Sequence, residues 1–422
     1  MQQLPTKSYY TTFISSFGAA IEYYSFITYI MLSNYLSILY FPNSNPHIRM
    51  LNALLLFAVG YAVTPISAVI FSFFADRTGR KPTMLMALAL MAAATFLMGL
   101  VPSYQTIGIS ATLIFFVLRI LQGLAQGAEL PSAITFISEH AKDKQQGRFC
   151  GFLFFAIGTG ALLSALVNYI ITSVLSEQAM YAYGFRIPFL LAGVLGIIGY
   201  KIRKNTTETP LFLAHKKQEK QKKVTLVRIP IVTVLKDYFP KLLIGFGLVW
   251  SGAVLVNFGL FLPSFLQIHF GYLPEDTYLV TTLAFLLDFL LIFLGIIADK
   301  ITFRRLYLIG VIVNMIAIYP VFLLLKFKGF GALFIFVQLY HLLILCLAAC
   351  YPSMLTRLFP TKVRFSGVSL SYLSAYSLAG FVPLIINSFF VRFPYVITIA
   401  GCIFLSLVVS FVAGLCYRDS KL

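Results

Sequence analysis

Four charged side chains stand where charge is expensive. Glu22 lies inside "FGAAIEYYSFITYI" (17–30), Arg119 and Glu129 open and close "RILQGLAQGAE", and Asp288 interrupts "TTLAFLLDFLLIFLG". An ionisable group in hydrocarbon costs several kcal/mol, so it faces a partner or a watery pathway. Helical spacing gathers polar companions around two of them. Gly18, Glu22, Ser25 and Tyr29 share one helix face, and Arg119, Gln122, Gln126 and Glu129 share another. Both faces are expected to bound a water-accessible cavity. The alternative is helix packing, with Glu22 hydrogen-bonded to a neighbour.

The residue types suggest what such a cavity would hold. A guanidinium grips a carboxylate through two parallel hydrogen bonds, which makes Arg119 the candidate anchor for an anionic substrate group. Its alternative is an ion pair with Glu22 or Glu129. Tyr23 flanks Glu22. Trp250 and Asn257 lie one helical face apart in the seventh apolar run. An aromatic face there would hold an ammonium by cation–π attraction, unless Trp250 is an interface anchor. His341 is read as a hydrogen-bonded packing residue rather than a proton carrier. Gly123 and Gly127 would let a neighbouring helix come close.

These faces need helices that cross a bilayer. Of 422 residues, 59% are hydrophobic and 11% charged, against about half and a quarter in a soluble domain. Runs of about 20 apolar residues, enough to cross a ~30 Å hydrocarbon core, recur throughout the chain. Twelve are read, at roughly 11–37, 50–74, 83–101, 107–137, 149–173, 187–202, 241–268, 278–298, 305–325, 331–356, 366–390 and 395–416. The sixth is short. The fold class is an all-α polytopic membrane protein with twelve transmembrane helices.

A net charge of +18 does not imply a nucleic-acid partner. With both termini cytoplasmic, 26 of the 32 Lys and Arg fall on cytoplasmic segments, the positive-inside bias. No small-residue cleavage site closely follows the first run, so it is expected to stay as a helix. Cys346 and Cys350 share a face, but nothing completes a metal set, and no disulfide framework is indicated.

The chain echoes itself. "FFADRTGRK" (73–81) follows the second run and "IIADKITFRR" (296–305) the eighth, with Asp76 and Asp299 223 residues apart. "ISEHAKDKQQGR" after the fourth run pairs with "LTRLFPTKVRFSG" after the tenth. The division is an N-terminal bundle at 1–202, a basic cytoplasmic linker at 203–240 and a C-terminal bundle at 241–422. Two pseudo-symmetric six-helix bundles suggest a transporter with its site near the midplane between them. The "HKKQEKQKK" of the linker is a solvated segment with lipid head groups as an alternative contact.

"ADRTGRK" resembles the loop signature Asp-Arg-x-Gly-Arg-Arg/Lys of the major facilitator superfamily. "GAAIEYYSF", "RILQGLAQGAE", "FRIPFLLAG", "ETPLF" and "FPTKVRFSG", in order along nearly the whole chain, resemble its metabolite:proton symporter branch, which includes permeases for proline, betaine and α-ketoglutarate. The resemblance implies the major facilitator fold, alternating access, a proton gradient in place of any cofactor, and a bacterial cytoplasmic (inner) membrane. It also casts Asp76, Arg77, Arg80, Asp299, Arg304 and Arg305 as charge locks that break and re-form as the halves rock. Their alternative role is topology determination. The branch has Asp where this chain has Ser25, and Trp-Phe where it has Tyr23-Tyr24. Serine does not titrate near neutral pH, so proton coupling is expected to have moved. Asp288, in the half away from Arg119, is the first choice, followed by Glu22 and Glu129.

The expected function is import of a small zwitterion, an amino acid or betaine, by proton symport. Its partners would be that substrate, protons and membrane lipids, in a monomer with no enzymatic activity. A dicarboxylate should need more than one intramembrane cation. Drug or metabolite efflux by antiport is disfavoured because "FLFFAIGTGALLSALVNYI" has no proline where antiporters carry a Gly-Pro-x-x-Gly-Gly-type motif. A membrane enzyme or a ligand sensor on the same scaffold completes the alternatives.

Overall fold

The computed structural model describes residues 6–43, 45–78, 80–127, 130–141, 145–204 and 230–418. Among these the secondary structure is helical throughout. Hydrocarbon offers no water to a backbone N–H or C=O, so each apolar run closes its own hydrogen bonds as a helix.

Ten helices among the described residues are long and apolar enough to cross a bilayer. In chain order, α1 is Thr6–Met31, continued by Ser33–Tyr40 after a break at Leu32. Then come α2 (Pro46–Phe71), α3 (Pro82–Leu100), α4 (Ile109–Thr135, with 128–129 outside the described residues) and α5 (Gln146–Val174). A π-helical turn, Met180–Gly184, leads with a 42° bend into α6 (Arg186–Ile202). The second half holds α7 (Phe239–Phe270), α8 (Pro274–Ile301), α9 (Phe303–Lys326), α10 (Phe330–Leu358), α11 (Arg364–Arg392) and α12 (Val396–Cys416). The bend explains why the sixth run looks short in sequence. Serines, tyrosines and Glu22 keep α1 out of the ten, although its 26 residues suffice for a crossing. With α1 and α6 the helices number twelve, arranged as two six-helix bundles. Of the stretch 203–240, only 203–204 and 230–240 are described, the latter carrying a short helix, Pro230–Asp237.

Ile66, Leu113, Val174, Ile197, Ile316 and Leu405 are each more than half exposed, a surface that suits lipid. Polar groups turn inward instead. Glu22, Arg119, Asp288 and His341 are all under 8% exposed. Within the first half α3 packs on α6, and α1 on α5 and α6; within the second, α7 packs on α11 and α12, and α9 on α12. The halves meet where α5 crosses α8, α1 meets α7, and α2 and α4 meet α11. The α5–α8 crossing is close because it is built on glycine. A Cβ on Gly151 would lie 2.9 Å from the carbonyl carbon of Leu291, and one on Gly295 3.1 Å from the Arg148 nitrogen. Small residues at that spacing allow backbone-to-backbone approach, which a side chain would prevent.

Candidate functional site

Asp288 sits in a single 3₁₀ turn, Leu287–Phe289, in the middle of α8. A mid-helix 3₁₀ stretch often marks a functional hinge or local strain. His341 of α10 meets it, with Nε2 2.7 Å from Asp288 Oδ1 and each side chain 9% exposed. The Phe285 ring packs edge-on against the imidazole, 5.1 Å between centroids. From the first half, Gly158 of α5 backs the carboxylate. A Cβ there would lie 2.8 Å from Asp288 Cγ and closer still to Oδ2, so a larger residue would displace the carboxylate.

Asp288 and His341 line a cavity of about 100 Å³ between the halves, room for several waters or one small solute. Its other polar side chains are Thr281 and five tyrosines: Tyr23 of α1, Tyr340 and Tyr351 of α10, and Tyr372 and Tyr376 of α11. Tyr372 stacks on Tyr376 at 4.4 Å, and Tyr351 lies 6.4 Å from Tyr372. Phe154 of α5 meets Tyr351 edge-on at 5.6 Å. Among the described lining residues, Asp288 is the one carboxyl group and His341 the one imidazole. A carboxylate set among aromatic rings has the chemistry of a cation site.

Some of the polar residues singled out in sequence line this cavity, and others gather at the α1–α4 contact. Tyr23 and Asp288 line the cavity. Glu22 is 3% exposed and is not part of its lining. Ser25 donates to the Ile21 carbonyl of its own helix at 2.9 Å. Tyr29 donates to the Ala53 carbonyl of α2 at 3.0 Å. Arg119, fully buried, also lies outside the lining. Its Nη1 donates to the Phe26 carbonyl at 3.0 Å and to Gln122 Oε1 at 2.7 Å. Its guanidinium stacks on Phe26, Tyr29 and Phe57 at 4.3, 4.9 and 5.0 Å. Among the described residues its Nε and Nη2 have no hydrogen-bond partner. Gln122 in turn reaches Thr95 Oγ1 of α3 at 2.7 Å and the Ser25 carbonyl at 3.3 Å. The group therefore ties α1 to α2, α3 and α4 beside the cavity.

Gln126 is half-buried, and Glu129 lies outside the described residues. Trp250 stacks on Phe246 at 5.3 Å, and Asn257 donates to the Ala253 carbonyl at 2.9 Å; neither lines the cavity.

Hydrogen bonds also join the halves toward the two ends of the helices. Around the α1 break at Leu32, Ser33 Oγ donates to Ser264 Oγ at 3.0 Å, Asn34 Nδ2 to Gln267 Oε1 at 3.2 Å, and the Tyr278 hydroxyl to the Met31 carbonyl at 2.6 Å. At the start of α5, Asp299 accepts from the backbone N–H groups of Gly147 at 2.8 Å and Arg148 at 3.0 Å. It thus occupies the N-terminus of α5 in the opposite half, where free N–H groups and the helix dipole favour an anion. Arg357 Nε donates to Gln146 Oε1 at 2.8 Å beside it. Arg304 instead donates to the Gly414 and Leu415 carbonyls at the end of α12, inside its own half, and Arg305 is exposed. The side chains of Asp76, Arg77 and Arg80 lie outside the described part.

Sequence reasoning missed the tyrosine wall, the partner of Asp288, and Arg357. Tyr372 and Tyr376 share a helix face at i, i+4, and Gly147, Gly151 and Gly158 share one at i, i+4, i+11, so both signals were present.

Residues 11–383 match the family model described as Major Facilitator Superfamily. The chain is 29% identical over 376 residues to the "Proline/betaine transporter" of Escherichia coli K12, covering 87% of this chain and 75% of that one. It is 28% identical over 378 residues to the "Glycine betaine/proline/ectoine/pipecolic acid transporter" of Dickeya dadantii, covering 88% and 75%. Among solved structures it is similar to a D-xylose-proton symporter, with a TM-score of 0.76 at 17% identity over 97% of each chain. The inward-open E. coli xylose transporter is also similar, with a TM-score of 0.70 at 16% identity over 98% of this chain and 97% of that one. With a fold of two six-helix bundles and a family match over most of its length, the chain belongs to the major facilitator superfamily of membrane transporters.

Proposed function

We propose that the chain imports a small zwitterion, an amino acid or betaine, by proton symport and alternating access. The proposed location is a bacterial cytoplasmic membrane, with both termini inside. One observation carries this reading: Asp288, hydrogen-bonded to His341, stands on the wall of a cavity whose other polar side chains are five tyrosines and Thr281. A carboxylate among aromatic rings complements an ammonium, and a desolvated cation–π contact contributes about 2 kcal/mol. A dicarboxylate would meet no arginine or lysine in the described lining. The relatives named as proline and betaine transporters support the same substrate class.

In this account the cationic end of the substrate goes to Asp288, with Tyr23, Tyr351, Tyr372 and Tyr376 around it. Arg119, Gln122, Ser25 and Tyr29 hold α1 in place, so that Tyr23 is positioned by them. Asp299 acts as the inner latch between bundles 1–202 and 241–422, which rock about the cavity while 203–240 joins them. The protein works as a monomer, without a cofactor and without changing its substrate. Glu22 and Glu129 rank behind the Asp288 pair as proton sites.

Proteoliposomes test this directly. They are expected to accumulate labelled glycine betaine or proline on an inward proton gradient, and Asp288→Asn to lose that accumulation. Uptake of dicarboxylates, with neither zwitterion carried, would overturn the proposal.

A further inference from the structure

A zwitterion seated by its ammonium on Asp288 has a carboxylate still to place. Arg119 is fully buried outside the cavity lining, and no lysine or arginine belongs to that lining among the described residues. The described lining contains one side chain that gains a positive charge by taking up a proton, the His341 imidazole. We infer that His341 carries the coupled proton, and that its imidazolium holds the substrate carboxylate while Asp288 holds the ammonium. This rests on the zwitterion reading and deepens it.

The geometry suits both tasks. Nε2 is engaged with Asp288 Oδ1 at 2.7 Å. An imidazolium donates from both ring nitrogens, so Nδ1 is the donor left for a substrate oxygen. The proton comes from the aqueous side to which the cavity opens, adds to the imidazole, and leaves from it on the other side. No other bond changes. Asp288 as the proton carrier would act differently. A proton on its carboxylate cancels the charge that the ammonium needs, so proton and substrate would exclude each other and give exchange. On His341 the proton creates the charge that the carboxylate needs. By linkage, each ligand then tightens the other by the same factor, the thermodynamic requirement of symport.

The surroundings leave few competing groups. α8 presents Asp288, α1 presents Tyr23, α10 adds Tyr340 and Tyr351, and α11 adds Tyr372 and Tyr376. α5 and α7 contribute only apolar residues and glycines to the described lining. Beside these phenols, Asp288 and His341 supply the carboxyl group and the imidazole of the described lining.

The test is equilibrium binding to the purified full chain in lipid nanodiscs, from mildly acid to mildly alkaline pH. The two probes are glycine betaine and choline, which share a trimethylammonium head; only betaine has a carboxylate. Betaine affinity is expected to rise as pH falls, by up to about tenfold per unit, with proton uptake measurable in buffers of different ionisation enthalpy. Choline should show no tightening in acid. His341→Gln should still bind betaine, with the pH slope gone. If that variant does not fold, the betaine–choline contrast and the proton uptake of the unmodified chain decide the matter. Betaine binding without proton uptake, acid tightening of choline, or an unchanged slope in folded His341→Gln would overturn the assignment and leave the zwitterion reading standing. Failure of both betaine and proline to bind at any pH would remove the zwitterion reading and this inference with it.

Discussion

Replacing Gly158 with alanine adds one methyl group where the first half touches Asp288. The new Cβ would lie 2.8 Å from Asp288 Cγ, whereas non-bonded carbons rest at about 3.5–4.0 Å. The carboxylate ends a flexible side chain, so it yields by about 1 Å while the helices stay. Alanine also suits a helix interior better than glycine by about 1 kcal/mol. The variant is therefore expected to fold and insert. What it loses is the 2.7 Å bond between Asp288 and His341. A hydrogen bond to a charged group contributes about 1.5–3 kcal/mol, which is about 10–150-fold in an equilibrium constant. The assay is glycine betaine binding to purified Gly158→Ala beside Gly401→Ala, where an added Cβ meets nothing within 4 Å. Affinity should fall at least tenfold in the first variant and stay unchanged in the second. Unmodified affinity in folded Gly158→Ala would refute the placement of substrate on Asp288.

Other outcomes follow from the contacts around the cavity. Asp299→Asn keeps one carbonyl oxygen for two backbone donors and loses a charge whose place at a helix N-terminus is stabilising by about 0.3–1 kcal/mol. Transport rate should change severalfold with equilibrium binding intact, and a binding loss at unaltered rate would count against a latch. Tyr278→Phe removes the 2.6 Å bond to the Met31 carbonyl, so a cysteine introduced by Ser33→Cys should react faster with an impermeant thiol reagent; equal labelling would argue that this contact is no gate. Arg119→Lys loses the planar stack on three rings and should lower thermal stability more than affinity. Lost affinity at full stability would return the substrate carboxylate to Arg119.

Much of the architecture was legible because lipid imposes a simple rule on composition. Apolar runs of crossing length, the cation count on alternate segments and the two "AD" loops together give twelve helices in two halves. The misfit at α6 has a local cause, since a bend at Met180–Gly184 splits one crossing into two pieces. Side-chain roles were less legible because partners come from distant helices. Asp288 is conspicuous as a carboxylate in an apolar run, but His341 is 53 positions away on α10 and looks like any buried histidine. Arg119 drew attention by its charge, while its three aromatic neighbours on α1 and α2 could have been anticipated only from the packing of α1, α2 and α4. Ser25 faces a carbonyl one turn back, which spacing alone does not distinguish from a cavity wall. Of the five lining tyrosines, Tyr372 and Tyr376 share a face of α11, but the other three lie on α1 and α10, so no single local motif announces the set.

Coupling itself is the claim on which the account stands. Proteoliposomes holding an internal pH-sensitive dye, with no initial pH difference, would be given an inward gradient of glycine betaine. The expected result is acidification of the lumen in step with betaine entry, lost in His341→Gln and absent from protein-free vesicles. Betaine entry with no movement of protons would contradict the account.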